Sequence, residues 1–371
     1  MNAEPKIERV LMTTDTMGGV WTFSLELAAA LRASGIAVGL ATMGAPMTHE
    51  QREQAKTVPS MEVFESSYKL EWMENPWDDV SAAGEWLLGL AGRYRPDIVH
   101  LNGYAHAALP WQAPTLVVGH SCVLSWWQAV KGEQAPPSWD RYRHEVTKGL
   151  RAAQVVVAPS AAMMDALQQF YGPLADTAVI PNGRDLRLLA PAAKEPFVFA
   201  AGRIWDEAKN IPALDAAAPR LAWPVLVAGE DRHPEGGKSS TPNLRLLGRL
   251  SPKGVAAWAA RASIYALPAR YEPFGLSALE AAVAGCALVL GDIPSLREVW
   301  EDSAVFVPPN DIDALVHAIN GLIADDRRRA AVAERVQKRA LQYTPQRMAD
   351  AYVSIYCRIL RSRAAFETAH A

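Results

Sequence analysis

Short apolar runs of strand length alternate with stretches of helical period along nearly all of this sequence. Arg9–Thr14, Ala37–Thr42, Asp97–Leu101, Thr115–Gly119, Val155–Ala158 and Ala178–Ile180 read as strands. Between the first two, Val20–Ser34 reads as a helix with Gly35 as its stop signal. The pattern pauses over Pro181–Pro196, which is proline-bearing and aperiodic and reads as a linker, and then restarts. Phe197–Ala200, Val225–Ala228, Leu244–Leu247, Ser263–Leu267 and Ala287–Leu290 read as strands, Gly254–Arg261 and Phe274–Ala284 as helices, and the chain from Asp311 on as helical. Strands and helices in strict alternation predict parallel sheets covered by helices on both faces. The expected fold class is therefore α/β, with two Rossmann-like domains and a cleft between them. Ligands bind such sheets at the carboxyl ends of the strands, so the residues that matter should follow strands.

A chain of 371 residues is long enough for two such domains, each with its own core. Residues 1–10, MNAEPKIERV, contain no apolar signal core, and no run of about 18 apolar residues suggests a membrane span. Three widely spaced cysteines, Cys122, Cys286 and Cys357, fit neither a disulfide framework nor a zinc cluster. These features point to the cytoplasm. The formal net charge is −3, and residues 1–180 hold 13 Lys and Arg against 19 Asp and Glu. Nucleic-acid partners normally require a basic footprint and are not expected.

The segment Tyr271–Ala281, YEPFGLSALEA, carries the strongest chemical signal. Glu272 stands in the loop before a helix and Glu280 in that helix's second turn. Between them the amides of Phe274, Gly275 and Leu276 open the helix, and unpaired N–H groups with the helix dipole suit a diphosphate. Gly275 permits close approach to the backbone. Read alone, the two glutamates fit equally well as an ordinary acidic helix start and a solvent-facing side chain.

The segment resembles the E-x7-E motif of the family-4 retaining glycosyltransferases, also called glycosyl transferases group 1, which have the GT-B fold. Val198–Asn210, VFAAGRIWDEAKN, resembles the family's GR…K segment, with one residue more than usual between the arginine and the lysine. Val179–Asp185, VIPNGRD, resembles its hinge, Val155–Ser160 the strand and turn before it, and Gly291–Pro309 its usual continuation. The resemblance covers nearly the whole chain. It implies that Arg203 and Lys209 bind the donor phosphates, that Glu272 holds sugar hydroxyls, and that Glu280 holds the ribose. It also implies that Arg249 and Leu250, in the loop Gly248–Ser251, lie near the nucleotide base. Residues 1–183 would form the acceptor domain, with the last helix, 346–371, packing back on it. Residues 184–345 would form the nucleotide-sugar donor domain.

The loop Asp15–Val20, DTMGGV, places Gly18 and Gly19 at the start of the first helix, where their amides can meet a phosphate or a sugar. It is not a G-x-G-x-x-G fingerprint, which counts against a nicotinamide-dependent oxidoreductase. In the family context it matches the glycine loop facing the donor. His120, in GHSCVLSWW, follows a strand; a histidine there is more often structural than catalytic, but in the family it lies beside the transferred sugar. Eight of the twelve tryptophans precede residue 151. Trp127, with Asn102 and Tyr104 of HLNGYAH, is a candidate for the acceptor side, against the alternative that these residues only anchor loops and cores.

Asp311 and Asp313 form a D-x-D pair, but they directly precede a helix, where aspartate is an ordinary cap. No metal and no cofactor is therefore expected. The resemblance implies a front-face mechanism, since no carboxylate in the first half stands out as a nucleophile. A UDP-sugar is the favoured donor, with GDP or ADP sugars as alternatives. The acceptor would be a hydroxyl of a saccharide, polyol or other small molecule, and peripheral membrane contact stays open. The competing readings are a sugar phosphorylase or sugar-phosphate synthase on the same fold, and a non-enzymatic two-lobed sugar-binding protein.

Overall fold

The computed structural model describes residues 6–185, 192–231 and 240–370. The chain divides into two compact units. The first comprises residues 1–125, 134–183 and 345–371, and the second residues 126–133 and 184–344.

The first unit is built on a parallel sheet of seven strands: β1 (Arg9–Asp15), β2 (Ala37–Met43), β3 (Met61–Phe64), β4 (Ile98–Leu101), β5 (Thr115–Val118), β6 (Val155–Ala158) and β7 (Thr177–Val179). Their spatial order is β3-β2-β1-β4-β5-β6-β7. Its helices are α1 (Gly19–Leu31), α2 (His49–Lys56), α3 (Trp77–Tyr94), the start of α4 (Val123–Lys131), α5 (Asp140–Ala152) and α6 (Ala161–Tyr171). Successive side chains on a strand point to opposite faces, and β1 shows this directly. Val10 and Met12 join Phe23 and Leu27 of α1 in one core, whereas Leu11 packs with Ala83, Leu87 and Leu90 of α3 on the other face.

The second unit holds a six-stranded parallel sheet: β8 (Glu195–Ala201), β9 (Val225–Ala228), β10 (Arg245–Gly248), β11 (Ala262–Leu267), β12 (Ala287–Gly291) and β13 (Val305–Val307). The order is β10-β9-β8-β11-β12-β13. Its helices are α7 (Ile211–Ala217), α8 (Pro252–Arg261), α9 (Leu276–Val283), α10 (Pro294–Trp300), α11 (Ile312–Ala324) and α12 (Asp326–Ala340). The last helix, α13 (Pro345–His370), belongs to the first unit, where Tyr352, Ile355, Tyr356 and Ile359 complete the core beneath α1.

In each sheet the chain order reverses once, between β1 and β4 and between β8 and β11. Such switch points open a crevice at the carboxyl ends of the strands. Gly18 and Asn102 follow β1 and β4; Arg203 and Glu272 follow β8 and β11.

Several elements differ from their sequence-based expectation. The helix expected from Phe274 begins only at Leu276, because Gly275 adopts a left-handed conformation at its N-cap (φ 92°). The first helix ends at Leu31 and tightens into a 3-10 turn, Arg32–Ser34, before the left-handed Gly35. The edge strands β3 and β13 are additions to the expected set, being short and only half covered. Of the linker read over Pro181–Pro196, residues 186–191 lie outside the described residues, and its last two residues already belong to β8. No helix among the described residues is long and apolar enough to cross a membrane.

Candidate functional site

In the second unit, four charged side chains meet at the β8/β11 switch point. Arg203 leaves β8 after Gly202; a 3-10 turn, Glu207–Lys209, then carries Lys209. Asp206 organises both. Its carboxylate accepts from the Arg203 guanidinium at 2.7 Å and caps the turn by accepting from Ala208 N–H at 3.0 Å. Trp126, which groups with this unit, donates to Asp206 from its indole at 3.4 Å. Burial alone would raise the Asp206 carboxyl, but the charges of Arg203 and Lys209 and these hydrogen bonds outweigh it and hold it below the usual carboxylate range.

The turn is fixed from behind. Ala208 O accepts from Arg270 N–H at 2.9 Å. Asn210, buried and left-handed (φ 54°), donates from its amide to Pro268 O at 2.9 Å and Pro309 O at 2.7 Å. Asparagine tolerates this conformation better than most residues. Lys209 is thus held above the loop after β11, where its ammonium pairs with Glu272. The second oxygen of that carboxylate accepts from Gly275 N–H at 2.9 Å and Phe274 N–H at 3.3 Å. Glu272 therefore occupies the position that the helix dipole and a lysine would offer to any anion. Ser295 holds the Glu272 carbonyl at 2.5 Å.

Glu280 lies one turn further along α9 and pairs with Arg184 at 2.7 Å, both largely buried at 19% and 12% exposure. Arg184 escapes the sequence reading as a site residue, because the Asn-Gly before it makes the segment look like a hinge. Asp206 escapes too; its only sequence signal is an acidic residue between two basic ones. Phe274 is buried edge-on against Tyr343, with ring centroids 5.4 Å apart, and Leu276 opens α9 half-buried. Arg249 is exposed and Leu250 packs partly on the core, just before Ser251 caps α8. Trp127 is half-buried beside Trp126, their rings nearly perpendicular with centroids 5.9 Å apart.

Backbone packing keeps the Arg203 loop tight. A Cβ on Gly229 would lie 1.7 Å from Gly202 O, and one on Gly291 would lie 2.2 Å from Ala269 O. The strand ends that carry the site therefore approach as only glycine allows.

In the first unit, Gly18 and Gly19 are exposed at the start of α1, which has no side-chain cap among the described residues. After β4, Asn102 donates from its main chain to Thr13 Oγ1 at 2.9 Å and from its side chain to Thr13 O at 2.6 Å. Its Oδ1 lies 2.8 Å from His120 Nε2. Phe23 packs edge-on against the His120 ring at 4.5 Å. Burial lowers the His120 imidazole to about 3 and that of neighbouring His100, which contacts the Tyr356 hydroxyl at 2.6 Å, also to about 3. Tyr104 is buried at 4% exposure, and its hydroxyl donates to Ser121 O at 2.8 Å. Its backbone is seated on Glu71 and against Gly149. It packs the unit rather than offering an aromatic face at the surface.

Asp311 caps α11 by accepting from Ala314 N–H, and Asp313 pairs with Arg220. Neither takes part in the clusters above.

The family model described as Glycosyltransferase Family 4 matches residues 17–188, and that described as Glycosyl transferases group 1 matches residues 195–325. A glycogen synthase of Mycobacterium tuberculosis is 31% identical over 301 residues, covering 72% of this chain and 70% of its own. The chain belongs to the group 1, family 4 glycosyltransferases. Glycosyltransferase relatives at lower coverage include a phosphatidyl-myo-inositol mannosyltransferase of Mycolicibacterium smegmatis, 31% identical over 45% of this chain and 48% of its own. Among solved structures, sucrose-phosphate synthase from Thermosynechococcus elongatus superposes with a TM-score of 0.82 at 19% identity, covering 96% of this chain and 100% of that one. An Anabaena protein solved in complex with UDP-glucose superposes with a TM-score of 0.74 at 17% identity, covering 95% and 99%. These structures share the GT-B fold of two Rossmann-like domains. The protein is thus a transferase enzyme of this family.

Proposed function

We propose that this glycosyltransferase moves a hexosyl-type sugar from a nucleoside diphosphate sugar, with UDP the favoured carrier, to a hydroxyl of a saccharide or other small acceptor, with retention of configuration and without a metal. The observation that carries this reading is the meeting of Arg203, Lys209 and the α9 amides at one switch point. A departing nucleoside diphosphate builds charge on its phosphate oxygens. An arginine fork and, once Glu272 has turned from it, a lysine stabilise that charge beside the amides at the helix start. The two cations serve the role that a divalent ion serves elsewhere. Glu272 passes from Lys209 to hydroxyls of the sugar, Glu280 takes the ribose, and the leaving phosphate accepts the acceptor's proton on the same face. The second unit is assigned the donor and the first the acceptor. The complex of the Anabaena neighbour with UDP-glucose supports the choice of donor.

The test is transfer from a UDP-sugar in EDTA, followed by NMR of the product's anomeric proton. Retention with undiminished rate supports the reading; inversion, or loss of activity that a divalent ion restores, rejects it. A second reading is favoured by a relative named alpha-maltose-1-phosphate synthase, 27% identical over 66% of this chain and 69% of its own. Its test is whether a sugar phosphate replaces the plain saccharide as the preferred acceptor.

A further inference from the structure

The sequence places Asn102 among the acceptor ligands, but its hydrogen bonds commit it elsewhere. Its side-chain amide faces Thr13 O at 2.6 Å and Ser24 Oγ at 3.4 Å, while its main-chain N–H holds Thr13 Oγ1 at 2.9 Å. A carbonyl oxygen only accepts, so Thr13 O requires the NH2 group on that side of the carboxamide. Flipping the group would set oxygen against oxygen. Oδ1 must then face the other way, and there it meets His120 Nε2 at 2.8 Å. Oδ1 can only accept in turn, so Nε2 carries the ring proton. Phe23, edge-on at 4.5 Å, holds the ring plane. In a neutral imidazole so fixed, Nδ1 is left as a bare lone pair, and no hydrogen bond to it is seen among the described residues.

We propose that Asn102 is a positioning residue that locks His120 in the Nε2–H tautomer, so that Nδ1 is presented as a hydrogen-bond acceptor for a hydroxyl of the transferred sugar. The sugar part of this inference rests on the reading under Proposed function; the tautomer does not. His120 is thereby an acceptor of a substrate hydrogen bond and not a proton donor. The chain of contacts runs from Thr13 on β1 through Asn102 after β4 to His120 after β5, all within the first unit.

The experiment is 15N–1H NMR of histidine-labelled full-length protein at neutral pH, with the His120 resonances assigned by their loss in His120→Gln. The expected result is a proton on Nε2 alone in the wild type, and a mixture of tautomers in Asn102→Ala. In parallel, kcat with the sugar nucleotide should fall about tenfold in Asn102→Ala, as for one lost hydrogen bond, while affinity for the nucleoside diphosphate alone stays unchanged. A merely structural Asn102 would lower the melting temperature and leave the tautomer as it was. An Nδ1–H or doubly protonated His120 in the wild type, or an unaltered tautomer in Asn102→Ala, overturns the inference. A locked tautomer with no sugar nucleotide bound or turned over would instead reject the sugar as ligand and the reading beneath it, leaving the lock itself in place.

Discussion

Replacing Glu272 with glutamine removes one charge from the centre of the donor cluster and keeps its shape. The Lys209 ammonium is paired with this carboxylate, and an arriving phosphate has to compete for it. Opposite charges about 4 Å apart interact by roughly 4 kcal/mol at an effective dielectric near 20. Lys209 and Glu272 are 18% and 11% exposed, so solvent screens only part of that, but the desolvation of both groups offsets most of the remainder. A hydrogen bond to a charged group is worth a net 1.5–3 kcal/mol or so. Surrendering about 1 kcal/mol of it to a phosphate corresponds to about fivefold in affinity. Glu272→Gln should therefore bind a nucleoside diphosphate about fivefold more tightly than wild type. It should also transfer sugar about 10- to 100-fold more slowly, because the amide's one oxygen stays on the Gly275 N–H and the NH2 group that replaces the other carboxylate oxygen cannot accept from the sugar hydroxyls. Calorimetry with the nucleotide and steady-state kinetics with the sugar nucleotide read the two effects. The melting temperature should move little, since the Gly275 N–H keeps an oxygen to bind. If nucleotide affinity falls together with turnover, Glu272 is not a competitor for Lys209 and the account of its exchange is wrong.

Gly229→Ala places a methyl group 1.7 Å from the Gly202 carbonyl at φ 155°. The backbone has to move, so a cost of roughly 2–4 kcal/mol is expected in denaturant melts, with nucleotide affinity lowered because Arg203 moves with that loop. His100 and His120 both stay neutral down to about pH 3 in the folded state, against about 6.5 when unfolded. Between those values the unfolded chain binds more protons, so stability rises with pH there. Chemical denaturation should find stability flat above about pH 7 and declining as pH falls below 6.5; a first unit unchanged down to about pH 4 would contradict their neutral burial.

Much of this fold is legible in the sequence because both sheets are parallel and buried. Their inner strands are continuous apolar runs, such as Val155–Ala158 and Val225–Ala228, whose limits are easy to see. The strands that escape, Met61–Phe64 and Val305–Val307, are short strands at sheet edges. Arg203, Lys209, Glu272 and Gly275 can be found because each follows a strand or opens a helix, and they meet in one place. Arg184 cannot, because its pairing with Glu280 joins segments 96 residues apart. Tyr104 looks like a surface aromatic because the residues that bury it, Glu71 and Gly149, come from distant parts of the chain. Local signals place a residue on an element; they do not say which side chain closes over it.

The claim that Arg203, Lys209 and the α9 amides form a diphosphate site is tested most directly by calorimetric titration of UDP, GDP and ADP into the protein in EDTA, with Arg203→Ala and Lys209→Ala alongside. The account predicts that one nucleotide binds without metal and that each substitution weakens it by about 10-fold or more, the value of a lost charged hydrogen bond. Failure of all three nucleotides to bind, or binding that both substitutions leave intact, would contradict it.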